Sequence, residues 1–201
     1  MSDMKIAEIL TETRYYKGVT YLEYLRHTGD NRDRFVECEE TFKLSPEDDI
    51  FFKNITKGQG ILKVIALVED WSPDVYRALP VLTKIVHSGG MELRIFQRDK
   101  NLDIMDLFLN KGQFRSIPTF VFFSPDLKYI CQWIERPAAA VKFYEEIDAE
   151  LAPKNLPLDE RRKIRRQRSQ PLWPQWQKET AREIRDLLSL PKLPENSEHI
   201  I

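Results

Sequence analysis

Between Ile61 and Val68 the chain reads ILKVIALV, a run of mostly branched apolar residues interrupted only by Lys63. A strand covered on one face alternates apolar with polar, so an unbroken run predicts a strand buried on both faces. The period then changes. PDVYRALPVLTKIVH, residues 73–87, places Val75, Ala78, Leu79, Leu82 and Val86 on one stripe of a helix that Gly89 and Gly90 end. MELRIFQR (91–98) alternates as a strand, NLDIMDLFLN (101–110) sets Leu102, Met105 and Leu109 on one helical face, and TFVFF (119–123) is again strand-like. Ser124-Pro125-Asp126 turns the chain into a last strand, LKYICQWI, and Pro137 opens the helix AAAVKFYEEIDAEL.

From residue 61 to about 151 the order is therefore β-α-β-α-β-β-α. Alternating strands and helices predict parallel pairing through right-handed crossovers, and the tight turn at Ser124 predicts an antiparallel hairpin. The fold class is α/β, with a mixed sheet and helices on both of its faces. Residues 1–58 form an N-terminal helical extension packed on this core. In it TYLEYLRHT and DRFVECEETFKL space their apolar residues three and four apart, Ser45-Pro46-Glu47-Asp48 starts a helix, and Gly58-Gln-Gly60 closes the segment. The core domain runs over 59–151. APKNLPLD begins a C-terminal extension, 152–201, which reads as helical over 160–190 with an interruption at QPLWPQW and ends in a loosely held tail.

Charge narrows the partners. Lys and Arg number 31 against 32 Asp and Glu, so no global field steers nucleic acid or a membrane surface to this chain. The segment ERRKIRRQR, 160–168, is the local exception, with Trp173 and Trp176 following it. Basic side chains beside aromatics can hold phosphates and bases, but a helix face gripping acids of its own domain or of a second subunit explains the same residues. Nucleic acid is disfavoured. Leu187, Leu188 and Leu190, with the two tryptophans, bury the extension on the core or offer a route to homo-oligomers. No uncharged apolar run is long enough for a signal peptide or a membrane span, which predicts a soluble, cytoplasmic protein. Cys38 and Cys131 stand far apart without a CxxC pair, and with His27, His87 and His199 scattered singly no metal site is expected, nor any cofactor. Both cysteines read as buried, inert side chains.

Candidate chemistry centres on VEDWSPDVYRALPVL, where the first core strand ends and a helix begins. Trp71-Ser72-Pro73-Asp74-Val75 resembles the W-C-x-x-C segment of thioredoxins, Pro80 falls where their helix has its kinking proline, and Arg115-Ser116-Ile117-Pro118-Thr119 resembles their R-G-I-P-T segment. More narrowly, residues 59–150 resemble bacterial thioredoxin-family proteins with a W-C-x-D-C or W-C-x-D-A motif. The resemblance implies a thioredoxin-like fold, a cis peptide bond before Pro118, and thiol-disulfide oxidoreductase chemistry by descent. It also implies that Ser72 and Val75 stand at the two cysteine positions, and that Ala66 replaces the family's buried aspartate.

Dithiol exchange needs an attacking thiolate and a resolving thiol, and neither is available at those two positions. A serine hydroxyl is too weak an acid for a helix N-terminus to ionise, and no histidine lies near in sequence to serve as base. Ser72-Pro73-Asp74 is also simply a good helix start, and Val75 a core residue of the stripe. What remains is a binding surface of Trp71, Ser72, Pro73, Asp74, Ile117 and Pro118. Across such a groove a protein or extended peptide would pair with the Ile117 backbone. The expected function is a redox-inactive binding or adaptor module; the alternatives are a thiol-disulfide oxidoreductase family member by descent and a glutathione-binding enzyme using Ser72.

Overall fold

A computed structural model describes residues 3–57 and 60–189; Gly58 and the tail from Leu190 lie outside the described residues. Five short helices lead: α1 (Asp3–Ile9), α2 (Glu12–Tyr15), α3 (Tyr21–His27), α4 (Arg32–Thr41) and α5 (Pro46–Ile55). Their starts are written in the sequence. Thr20 and Glu23 close a reciprocal capping box on α3, and Ser45 accepts the Asp48 N–H at the head of α5. The core follows as β1 (Lys63–Val68), α6 (Pro73–Gly89), β2 (Glu92–Gln97), α7 (Leu102–Met105), β3 (Thr119–Phe123), β4 (Tyr129–Ile134) and α8 (Ala138–Leu151). Among the described residues the last two helices are α9 (Leu158–Ser169) and α10 (Trp173–Ser189).

The four strands lie in the order β2-β1-β3-β4. β1 pairs parallel with β2 and antiparallel with β3, and β3 pairs antiparallel with β4. The expected parallel alternation thus fails at β3. That expectation rests on a helical crossover, and in residues 101–110 only Leu102–Met105 form a helix; β3 enters the sheet antiparallel to β1. The buried residues there are Ile104, Met105, Leu107 and Phe108 rather than Leu102 and Leu109. The expected hairpin and the two-sided burial of β1 both hold. Val64, Ala66 and Val68 pack into one hydrophobic cluster, while Ile65 and Leu67 enter the cluster on the opposite face.

Nearly the whole circumference of α6 is buried, including Val75, Leu79, Val81, Leu82 and Ile85. One amphipathic stripe does not account for this; α4, α5 and α10 cover the side turned away from the sheet. α10 also packs against β4, whereas α8 contacts chiefly α9 and α10. Ala181 and Ile184 consequently belong to the main core, with Leu187 and Leu188 packed against it. Gly90 ends α6 in the left-handed region, at φ 59°, where a side chain would be strained. Val19 exchanges two backbone hydrogen bonds with Ile95 and so covers part of the outer edge of β2.

Candidate functional site

The segment between β1 and α6 is fixed from both sides. Asp70 accepts the Gly29 N–H at 3.2 Å through its carboxylate and the Asn31 amide at 3.2 Å through its carbonyl, tying the turn to the α3–α4 loop. The buried Glu69 carboxylate accepts the Asp99 N–H at 2.8 Å; burial pushes its pKa above the usual carboxylate range. Ser72 stands at the N-cap of α6 and its carbonyl accepts the Val75 and Tyr76 N–H groups. Its hydroxyl, however, caps nothing, because the side chain is turned inward and only 5 % exposed. The expected serine cap is therefore absent, and Pro73 at the first turn carries the start.

Among the residues singled out from sequence, Trp71 is 56 % exposed, with the Arg98 guanidinium 5.4 Å from its ring centroid. Pro73 is exposed, Asp74 half-buried, and Val75 fully buried in the core. The Ile117–Pro118 bond is cis, but both residues are buried, and the Pro118 carbonyl accepts the Glu135 N–H at 2.7 Å. The open part of the site is Trp71, Pro73 and Asp74. Cys38 and Cys131 are free and buried, and burial raises their thiols to about 11 and about 12.

Trp71, Pro73 and Asp74 form one wall of a cavity of about 460 Å³ that α9 closes from the far side. Its other walls carry Arg34 of α4, Arg77 of α6, Arg136 ahead of α8, and Arg162, Arg165 and Arg166 of α9. Asp74 is the one lining carboxylate among the described residues. It is shared: Arg77 donates to one oxygen and Arg136 to the other, the latter at 2.8 Å. Burial works most strongly against charge on Arg77, yet the Asp74 carboxylate together with Tyr144 and Tyr76 more than offsets it and its pKa is raised. Arg136 also donates to Glu135 at 2.5 Å, and Arg34 to the Tyr76 hydroxyl at 3.0 Å.

Aromatic rings hold these guanidiniums in place. Arg136 and Arg165 each lie 4.8 Å from the Tyr144 centroid, Arg77 lies 5.0 Å from that of Trp173, and Arg34 lies 5.3 Å from that of Tyr76. Arg162, Arg165, Arg166 and Ser169 follow at helical spacing on one face of α9, and all line the cavity. Part of the basic segment, Arg165 included, also grips its own domain. Arg161 and Arg165 reach Asp148, and Arg168 reaches Glu150 at 2.5 Å.

Sequence reasoning did not single out Arg34, Arg77, Arg136 or Tyr144. Only Arg77 left a signal, as a basic residue three positions after an aspartate near the start of a largely apolar helix. Among the described residues no group of three or more His, Cys, Asp or Glu side chains is placed to hold a metal, and no helix is long and apolar enough to cross a membrane.

This four-stranded mixed sheet, with a cis-proline beside the head of its central helix, defines a thioredoxin-like protein. The thioredoxin family model matches residues 18–150, and the chain belongs to that family. Two solved structures share the fold. A Pseudomonas aeruginosa protein of unknown function is 11 % identical at a TM-score of 0.61, over 89 % of this chain and 97 % of its own. An HIV epitope-scaffold is 14 % identical at a TM-score of 0.61, over 89 % of this chain and 98 % of its own. No curated protein matches the chain. With two cysteines in all, Cys38 and Cys131, the chain lacks the CxxC motif.

Proposed function

We propose that this chain is a redox-inactive member of the thioredoxin family that works as a binding or adaptor module, engaging a protein or extended peptide at Trp71, Pro73 and Asp74. One observation carries the reading. The turn at the head of α6 holds buried Ser72 and Val75, which the family resemblance places at the two cysteine positions, while Trp71 beside them stays exposed on the rim of a cavity. Exchange chemistry requires a thiolate in reach of a disulfide and a second thiol to resolve it. Cys38 and Cys131 do not substitute, since both thiols are buried and hard to ionise.

Because Ile117 and Pro118 are buried, partner contact falls on Trp71 and its neighbours rather than on a strand pairing with Ile117. A large, half-exposed aromatic held by Arg98 is a suitable anchor. Glutathione binding through Ser72 would need an accessible hydroxyl, which a side chain 5 % exposed does not present. The test is reduction of insulin disulfides with dithiothreitol as electron donor. The protein should give no turnover above the dithiothreitol background, and a rate well above it overturns the reading.

A further inference from the structure

We propose that the arginine-walled cavity beside the turn is a binding site for a small organic phosphate, a molecule carrying one or more phosphate groups on a compact frame. The proposal rests on the binding-module reading only in that Trp71, Pro73 and Asp74 belong to both sites. Six arginines and one aspartate line the cavity, leaving a net wall charge of +5 in a chain whose net charge is −1. That concentration is local and is assembled from four separate parts of the sequence.

Among the described residues the wall contains no lysine, although Lys163 lies within the same basic segment of α9. Guanidinium groups present planar pairs of N–H donors that match phosphate oxygens two at a time, where an ammonium offers a point charge. The donors are also incompletely used within the protein. Arg77, whose side chain is 7 % exposed, keeps a buried Nη1 without a partner, and the buried Nε of Arg136 is likewise unpaired. Arg34 and Arg166 meet no carboxylate among the described residues. A set of positive groups held on aromatic rings, already ordered, loses little freedom when an anion arrives.

Size and ring placement separate the occupants. A cavity of about 460 Å³ falls in the range of small-molecule sites. The rings of Tyr144, Trp173 and Tyr76 already carry guanidiniums, so they position arginines rather than offer free platforms for successive bases. Both features favour a compact phosphate over a single-stranded nucleic acid.

The experiment is calorimetric titration of the full chain with inorganic phosphate, pyrophosphate and ADP at low salt, roughly 50 mM. Pyrophosphate should bind, more weakly as salt is raised, and the double variant Arg162→Ala/Arg166→Ala should weaken it about tenfold or more. Both arginines are exposed, so the fold should persist, which circular dichroism checks. Lys163→Ala, on the same helix but off the cavity wall, should leave binding unchanged. Tighter binding of ADP than of pyrophosphate identifies a nucleotide as the source of the phosphate; equal binding identifies the phosphate groups alone. Absence of heat with all three at millimolar concentration overturns the proposal, as does an equal loss in Lys163→Ala. Affinity for oligothymidylate that grows with its length and exceeds that for pyrophosphate assigns the face to nucleic acid instead. None of these results depends on the insulin assay, so the two readings fail separately.

Discussion

Asp74 is the residue on which the electrostatics of the site turn. Replacing it with asparagine keeps the shape and removes the one carboxylate of the cavity wall. Two guanidiniums lose a partner, but unequally. Arg136 retains Glu135 at 2.5 Å and is partly exposed, whereas Arg77 is buried and Asp74 is its carboxylate partner among the described residues. Its Nη1 is already unpaired, so the substitution strands a charge on a side chain only 7 % exposed. Removing one member of a buried pair costs about 3–5 kcal/mol, because the remaining charge keeps its desolvation penalty without its attraction. For a chain of 201 residues that corresponds to a Tm loss on the order of 10 °C. Urea denaturation of wild type and Asp74→Asn, followed by tryptophan fluorescence, measures it directly. Arg136→Ala should cost much less, since Asp74 keeps Arg77. A stability of Asp74→Asn within about 0.5 kcal/mol of wild type, the range of an inconsequential surface change, would refute the reasoning.

Three further outcomes follow from the packing and the titration of named groups. Ile184→Ala should destabilise the whole protein by about 2–4 kcal/mol in a single transition, because Ile184 is fully buried in the main core; separate melting of a C-terminal segment would contradict this. Cys38 and Cys131, with thiols raised to about 11 and about 12 by burial, should release no colour from Ellman's reagent at pH 8 when native and two equivalents in guanidinium chloride. Glu150 is held down to about 2 by hydrogen bonds from Arg168 and Lys154. Its folded pKa lies below its unfolded one, so its contribution is full above about pH 4.5 and lost as pH falls towards 2. Thermal melts of wild type and Glu150→Gln should therefore differ most near pH 5 and converge near pH 2.

Local patterns made much of the fold legible. The apolar run of β1, the stripe of α6 and the hairpin at Ser124 all report short-range constraints, and each appears where its residues place it, while the cis bond before Pro118 is what the family resemblance implied. The direction of β3 was not legible, because it depends on how a ten-residue apolar stretch divides between a four-residue helix and turns. Nor was the position of α10. Two helices, α8 and α10, have apolar faces that suit the sheet, and tertiary packing gives α10 the place against β4. The cavity was the least visible feature. Its arginines lie at 34, 77, 136 and 162–166, and only the docking of α9 against α8 brings them to one wall. The charged run of α9 was evident, but which of its members face inward is a property of the packed helix.

The central proposal is that the thioredoxin frame persists here without its exchange chemistry, Ser72 and Val75 standing where the family resemblance places the two cysteines. The most direct measurement compares insulin disulfide reduction by wild type with that by Ser72→Cys/Val75→Cys under the same donor. The account predicts background rates for wild type, and a gain in the double variant, whose first cysteine would stand at the N-cap of α6 where the helix end lowers a thiol pKa, would show that the buried turn still opens to a disulfide. Turnover by wild type well above that background would contradict it.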